Sequence, residues 1–115
     1  MMYINSTGFY IPEGRVYNDH FLNVNGLTSD WILKRTGINS RSIVGEGEGH
    51  NSMGLAAIEN ALEKLPYDIK ELDLIVSASY SPYDTVATLA HIAQQKYDIP
   101  EMKAGLVSRP SPLLL

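Results

Sequence analysis

The chain has 115 residues, of which 44% are hydrophobic and 19% are charged; this is typical of one packed globular domain and excludes a two-domain enzyme within it. Nine Lys and Arg against thirteen Asp and Glu give a net charge of −4, which disfavours nucleic acid and membranes as partners. The sequence contains no cysteine, which excludes disulfides, thiolate zinc sites and a cysteine nucleophile within it.

The amino-terminal segment predicts a strand. Residues 2–10 are rich in β-branched and aromatic side chains and are closed by Pro12, a combination typical of strands. The segment lacks the basic and continuous apolar regions of a signal peptide, and the chain has no run of about 18 apolar residues. A cytoplasmic location is therefore expected.

Two short helices are predicted next, each with a capping residue before it and a glycine after it. The first follows Asn18 or Asp19 and ends at Gly26. The second begins at Thr28-Ser29-Asp30 and ends at Gly37, which is placed for a left-handed conformation.

The clearest helix follows residues 45–49, which alternate glycine and glutamate and suit a flexible surface loop. Its apolar residues recur at helical spacings, at Leu55, Ile58, Leu62 and Leu65. Asn51 or Ser52 is placed to cap this helix, and Pro66 to end it.

The second half predicts a buried strand and a further helix. Residues 72–78 form a nearly continuous apolar run, which is typical of a strand that is covered on both faces and has parallel neighbours. Residues 86–97 repeat apolar side chains at helical spacing. The order of strand, helices, buried strand and helix predicts an α/β fold with right-handed crossovers.

The carboxyl-terminal residues break this pattern. A further strand is expected after Ala104, yet residues 105–115 contain two closely spaced prolines and end in three leucines. Proline removes backbone donors from a strand ladder, and exposed leucines are unfavourable at the end of a domain. We therefore predict a folded segment 1–104 and an aberrant tail 105–115 that is not the native continuation.

Trp31 and Arg35 are the candidate binding residues. They are four residues apart on a predicted helix, so their side chains lie on one face. An indole beside a guanidinium offers a stacking surface and a cation, which suits an adenine ring and its phosphates. Spacing alone favours the alternative, a cation–π pair or a tryptophan packed against the core.

Other polar residues give weaker patterns. The histidines lie on separate predicted elements without a second ligand at metal-binding spacing, so no metal site is expected. Ser79, Ser81 and Asp84 follow the buried strand, where α/β sheets bind ligands, but no base accompanies them in sequence. Capping of the loop is the simpler interpretation.

Several motifs, taken in order, resemble a known enzyme family. They are Thr7–Glu13, Asn18-Asp19, Thr28–Ile38, Ser52–Ala57 and Leu74–Val76. Together they resemble the amino-terminal portion of β-ketoacyl-[acyl-carrier-protein] synthase III. One residue fewer than usual separates Asp30 from Trp31, and the Trp-to-Arg spacing is intact. The resemblance runs from about residue 2 to Ala104.

The resemblance implies a thiolase-like fold of two similar α/β halves in a homodimer, of which this chain is an incomplete amino-terminal half. It implies an acyltransferase of fatty-acid biosynthesis, in which an acyl-CoA acylates a cysteine before malonyl-acyl-carrier protein condenses with decarboxylation. By the same resemblance, Trp31 stacks on the CoA adenine, while Arg35 and Thr28 hold the nucleotide end. Arg35 also helps to dock the acidic carrier protein. CoA thioester is then a substrate, and no cofactor is bound permanently.

The family's catalytic residues have no match in this chain. The nucleophilic cysteine of the family lies shortly beyond the position of Ala104, and its histidine and asparagine lie far downstream. Neither His50 nor His91 matches the family histidine. Without a nucleophile, substrate binding alone accelerates nothing, so no catalytic residue is assigned and the chain is expected to be inactive alone.

Three interpretations follow. The first is a fragment of a ketoacyl synthase III, which the unusual tail favours. The second is a non-catalytic α/β module that binds CoA or carrier protein through Trp31 and Arg35. The third is a standalone α/β interaction domain that pairs through an open sheet edge.

Overall fold

The computed structural model describes residues 1–80, 84 and 86–100, together with the backbone of 103–107. The chain forms two compact units. One is Ile11–Glu48, and the other combines Met1–Tyr10 with Gly49–Leu115. They are called the small unit and the large unit below.

The small unit contains two short strands and two helices. Strand β1 (Gly14–Tyr17) is followed by helix α1 (His20–Asn25), helix α2 (Ser29–Thr36) and strand β2 (Ser40–Ile43). The two strands pair antiparallel, with Gly14 opposite Ile43. This pairing is not predicted from the sequence, because two strands of only four residues each carry little periodic pattern.

Both helices of the small unit begin and end where the sequence predicts. Asp19 caps α1, and the Thr28 hydroxyl caps α2. Gly26 and Gly37 follow the two helices with φ angles of 75° and 71°, a left-handed conformation that only glycine adopts at little cost. These helix boundaries are therefore confirmed.

Asn18 joins the elements of the small unit. It is buried, and its side-chain amide donates to the Ile38 carbonyl at 2.6 Å. Its side-chain oxygen accepts from the Arg41 guanidinium at 3.2 Å, and its backbone N–H donates to the Asn39 carbonyl at 3.2 Å. One asparagine thus connects the end of β1 with β2 and the segment before it.

The large unit contains two longer helices and a parallel strand pair. In chain order these are helix α3 (His50–Leu62), strand β3 (Leu74–Ala78), helix α4 (Leu89–Lys96) and strand β4 (Lys103–Val107). β3 and β4 pair in parallel, which confirms the expected neighbour, and α4 packs against both strands and α3. Ala90 and Ala93 of α4 are fully buried, so small side chains bring these elements close together.

Helix α3 starts earlier and ends earlier than predicted. Its N-cap is Gly49, and Ser52 is at the third helical position, where its hydroxyl accepts from the Gly49 N–H at 2.9 Å. The helix ends at Leu62 and gives way to a turn before Leu65. The predicted caps, Asn51 and Ser52, both lie inside the helix.

The strand predicted for residues 2–10 is absent, and this prediction is wrong. The segment lies along α3 instead: the Ser6 hydroxyl donates to the Ala61 carbonyl at 2.5 Å, and the Phe9 N–H donates to the Asn60 side chain at 3.4 Å. Gly8 lies close to the α3 backbone, where a Cβ would collide with the Ala57 carbonyl. A strand needs a neighbouring strand for its ladder, and here the segment bonds to a helix.

Strand β3 is covered on one face, which corrects the expectation of two covered faces. Leu74 and Val76 are 53% and 54% exposed, whereas Ile75 and Ser77, which point to the opposite side, are partly buried. Alternate side chains of a strand face opposite sides of the sheet. An apolar run therefore did not imply two covered faces here.

The boundary predicted after Ala104 falls inside β4, which continues to Val107. Residues 108–115 of the predicted tail lie outside the described residues, so the division into 1–104 and 105–115 stays a prediction. In the part of the chain that the structure describes, no helix combines the length and apolar character needed to cross a membrane.

Candidate functional site

The candidate site is on α2, where the Thr28 cap sets the direction of the helix. The Trp31 N–H donates to the Thr28 hydroxyl oxygen at 3.2 Å. Ile32, which is 4% exposed, is about 100° from Trp31 around the helix axis and anchors the buried side of the helix in the small unit. These two local features hold the helix so that its outer side faces solvent.

Trp31 and Arg35 lie together on that outer side, which we call the Trp31/Arg35 face. The Arg35 guanidinium carbon is 5.6 Å from the centroid of the Trp31 ring, within the range of a cation–π interaction. Trp31 is 47% exposed and Arg35 is exposed, so the indole is not a core residue. The cation–π pair expected from spacing is therefore present, with its aromatic ring open to solvent.

The two cations of α2 have different surroundings. The Lys34 ammonium forms an exposed ion pair with Asp30 at 2.9 Å. Among the described residues, Arg35 has no carboxylate partner. The guanidinium beside the indole is therefore the cation of α2 that is available to an anionic ligand.

A second cation–aromatic pair in the small unit was not predicted. The Arg41 guanidinium carbon is 5.0 Å from the centroid of the Phe21 ring, and Arg41 also donates to Asn18. Phe21 and Arg41 are on separate elements, so no spacing rule in the sequence signals their contact. Because Arg41 has two partners within the unit, it is a structural cation.

The small unit also has a cleft of about 540 Å³. Its lining residues are Tyr17, Asn18, Asp19, Ser29, Asp30, Leu33 and Asn39. Ser29, Asp30 and Leu33 lie on the side of α2 away from the Trp31/Arg35 face, because successive helical residues are about 100° apart. The carboxylates of Asp19 and Asp30 would repel a phosphate, so the cleft does not suit the phosphates of a nucleotide.

In the large unit, the Asp84 side chain caps the backbone that follows it. The Asp84 carboxylate accepts from the Val86 N–H at 2.7 Å and from the Ala87 N–H at 3.2 Å. These two hydrogen bonds, the Val86 bond first, lower the pKa of Asp84 below its ordinary value. The capping interpretation is confirmed for Asp84, while Ser81 lies outside the described residues.

His91 is held at the start of its own helix. His91 Nδ1 is 2.9 Å from the buried Thr88 hydroxyl, which ties it to the start of α4. Within the described ranges, no group of three His, Asp or Glu side chains is placed to hold a metal ion.

This chain is similar to known proteins in both sequence and structure. No family model matches the chain. It is 35% identical over 94 residues to the β-ketoacyl-[acyl-carrier-protein] synthase III of Wolbachia pipientis wMel, a match that covers 82% of this chain and 30% of the relative. The crystal structure of 3-oxoacyl-[acyl-carrier-protein] synthase III from Aquifex aeolicus VF5 superposes with a TM-score of 0.80 and 28% identity. That superposition covers 91% of this chain and 34% of the solved chain.

This chain is homologous to the amino-terminal portion of β-ketoacyl-[acyl-carrier-protein] synthase III. The priming β-ketosynthase of the R1128 polyketide biosynthetic pathway is also similar, with a TM-score of 0.81, 28% identity, and coverage of 91% of this chain and 31% of that one. The resemblance drawn from the motifs and the thiolase-like α/β fold class are thereby confirmed.

The chain spans about a third of the length of the synthases that it matches. The homology supports the acyltransferase and fatty-acid biosynthesis assignments at the level of the family, and for this chain they stay proposals. The ligand roles given to Thr28, Trp31 and Arg35 stay predictions, although the structure does bring these three residues together on one helix.

Proposed function

We propose that this chain is the amino-terminal part of a 3-oxoacyl-[acyl-carrier-protein] synthase III, which condenses an acyl-CoA with malonyl-acyl-carrier protein and begins fatty-acid synthesis. In that enzyme the chain binds the nucleotide end of acyl-CoA on the Trp31/Arg35 face. The acyl-CoA is a substrate and the acyl carrier protein is the second partner. The intact enzyme works as a cytoplasmic homodimer.

One observation carries the proposal: a guanidinium that has no carboxylate partner among the described residues lies over a half-exposed indole at 5.6 Å. An adenine ring stacks on the open indole surface through its π system. A phosphate accepts hydrogen bonds from the guanidinium fork, which matches phosphate geometry better than an ammonium does. The pair therefore provides both groups that an adenine nucleotide requires, on one rigid helix.

Thr28 positions the aromatic member of the pair. Its hydroxyl oxygen accepts from the Trp31 N–H, which leaves the hydroxyl hydrogen able to donate to a ligand. Loss of this cap would loosen the first turn of α2, where the indole is attached. Thr28 is thus a positioning residue and also a candidate ligand contact.

The experiment that tests this function is CoA titration of the chain. Trp31 is the sole tryptophan, so quenching of tryptophan fluorescence by CoA reports directly on the proposed site. Calorimetry should show that Arg35→Ala weakens CoA binding about tenfold, as expected for loss of a charge-assisted hydrogen bond. Trp31→Ala should weaken it by a similar factor, and Trp31→Phe, which keeps an aromatic ring, should weaken it less.

Arg15→Ala is the matched control for Arg35→Ala. Arg15 is an exposed arginine of the small unit on β1, and its removal changes the net charge equally. The CoA affinity of Arg15→Ala should stay within about twofold of the parent, because Arg15 is on β1 and not on the helix that carries the Trp31/Arg35 face. Equal weakening by Arg15→Ala, or no weakening by Arg35→Ala, would contradict the proposed site.

The proposal places the condensation chemistry outside this chain. The sequence has no cysteine, and neither His50 nor His91 is assigned a catalytic role. The chain contributes substrate binding, which raises no rate without a nucleophile and a means of stabilising the enolate. We expect no condensation of acetyl-CoA with malonyl-acyl-carrier protein by the isolated chain, measured by product chromatography.

The absence of cysteine also favours a second candidate, a non-catalytic module that binds CoA or carrier protein. The two candidates differ in the coding DNA. Sequencing across and beyond the Ala104 codon, with translation of all three frames, should reveal a frame that continues the synthase and supplies a cysteine. If no frame does so, the module becomes the better assignment.

A further inference from the structure

Helix α2 carries two side-chain pairs next to each other, both at a separation of four residues. One is the Asp30–Lys34 ion pair at 2.9 Å, and the other is the Trp31–Arg35 pair at 5.6 Å. The side chains of Lys34 and Asp30 are 75% and 73% exposed. Both pairs therefore lie at the surface of the same helix.

Lys34 lies between Asp30 and the Trp31/Arg35 face. With about 100° between successive residues, Lys34 is about 40° from Asp30 and about 60° from Trp31 around the helix axis. The lysine stem has four flexible carbons, so the ammonium can turn toward either side. In the structure it is paired with Asp30.

We propose that Lys34 is a second phosphate-binding cation and that Asp30 holds it away from the Trp31/Arg35 face until a nucleotide binds. This inference rests on the proposed function, because it concerns the same face. On binding, the Lys34 ammonium exchanges the Asp30 carboxylate for a phosphate of the ligand. Asp30 and Lys34 thereby set how strongly the face prefers ligands with more phosphate groups.

Breaking the Asp30–Lys34 ion pair costs little free energy. An ion pair between two largely exposed side chains contributes little to stability, because water solvates both charges well and the side chains lose entropy when they pair. A phosphate that carries more than one negative charge attracts an ammonium more strongly than a single carboxylate does. A ligand with a 3′-phosphate, such as CoA, therefore gains more from Lys34 than dephospho-CoA does.

The test is a double-mutant cycle with CoA and dephospho-CoA as ligands, measured by calorimetry at low salt. Asp30→Asn should tighten CoA binding about three- to tenfold, because it releases Lys34 and removes a negative charge nearby. Lys34→Gln should weaken CoA binding about two- to fivefold, and dephospho-CoA binding less. Circular dichroism checks that each variant keeps the helix content of the parent.

The double variant separates exchange from simple charge removal. If Lys34 is the acting cation, most of the gain from Asp30→Asn should disappear in the Lys34→Gln background. An equal gain in both backgrounds would overturn the proposal. Glu13→Gln, an exposed acidic residue elsewhere in the small unit, is the charge-matched control and should leave affinity unchanged within about twofold.

Failure of this inference is distinguishable from failure of the proposed function. CoA binding that depends on Arg35 but not on Asp30 or Lys34 would overturn the exchange alone. Absence of CoA binding by the parent chain would overturn both. Raising the salt to about 0.5 M should remove most of the difference between Asp30→Asn and the parent, because screening shortens the reach of the charge.

Discussion

Replacing Asn18 with alanine should destabilise the small unit, because it removes two side-chain hydrogen bonds of a buried residue. The change deletes the amide that donates to the Ile38 carbonyl at 2.6 Å and the oxygen that accepts from Arg41 at 3.2 Å. Asn18 is 4% exposed, so water cannot take the place of the side chain without rearrangement.

The size of the effect follows from these two hydrogen bonds. A neutral hydrogen bond contributes about 1 kcal/mol net and one to a charged group about 1.5–3 kcal/mol, and water reaches part of the Ile38 and Arg41 groups. We therefore expect Asn18→Ala to lower the free energy of unfolding by about 2 kcal/mol. For a urea dependence of about 1.5 kcal/mol per molar, the unfolding midpoint falls by more than about 1 M.

The assay is urea unfolding followed by tryptophan fluorescence, because the sole tryptophan, Trp31, is in the same unit. Asn39→Ala is the matched control, since this exposed neighbouring asparagine makes no side-chain hydrogen bond with the described residues. Its midpoint should stay within about 0.5 M of the parent. A similar midpoint for Asn18→Ala and Asn39→Ala would refute the role assigned to Asn18.

Three further predictions concern the large unit. Gly8→Ala should lower the free energy of unfolding by about 1–3 kcal/mol, because its Cβ would meet the rigid carbonyl of Ala57. Gly54→Ala should lower it less, since its Cβ would meet the flexible end of the Leu89 side chain, and alanine favours a helix by up to about 1 kcal/mol. Both losses are measured by urea unfolding followed by circular dichroism, because Trp31 is in the small unit. Equal losses for the two glycines would contradict this comparison. Folding lowers the pKa of Asp84, so the ionised carboxylate stabilises the fold above the unfolded pKa, near 3.8. This stabilisation is lost as the pH falls through the folded pKa. As the pH is lowered from 6 to 2.5, the melting temperature should therefore fall less for Asp84→Asn than for the parent. An equal fall for the two proteins would contradict this role of Asp84.

The features predicted well are those whose physics is local. The Asp19 and Thr28 caps, and the glycines at 26 and 37, act on backbone groups within a few residues. The Trp31–Arg35 contact follows from one helical turn and needs no information about the rest of the fold. The wrong start of α3 has the same origin, because Asn51 and Ser52 are both suitable caps by sequence, whereas the N-cap in the structure is the nearby Gly49.

The features that the sequence did not predict depend on partners distant in the chain. Residues 2–10 have strand-forming side chains, yet Ser6 and Phe9 donate hydrogen bonds to acceptors on α3. The apolar run of β3 was expected to be covered on both faces, but coverage depends on what packs there. Side-chain composition alone does not specify a neighbour.

By itself, the sequence determined the α/β class, the family, the boundaries of α1 and α2, and the pairing of an indole with a guanidinium. The tertiary structure decided the β1–β2 pairing, the joining role of Asn18, and the contrast between the structural Arg41 and the solvent-exposed Arg35. The physical reason is the distance along the chain over which each interaction acts. Caps and helical spacing act within one turn, whereas burial and charge pairing depend on which distant residues the fold brings together.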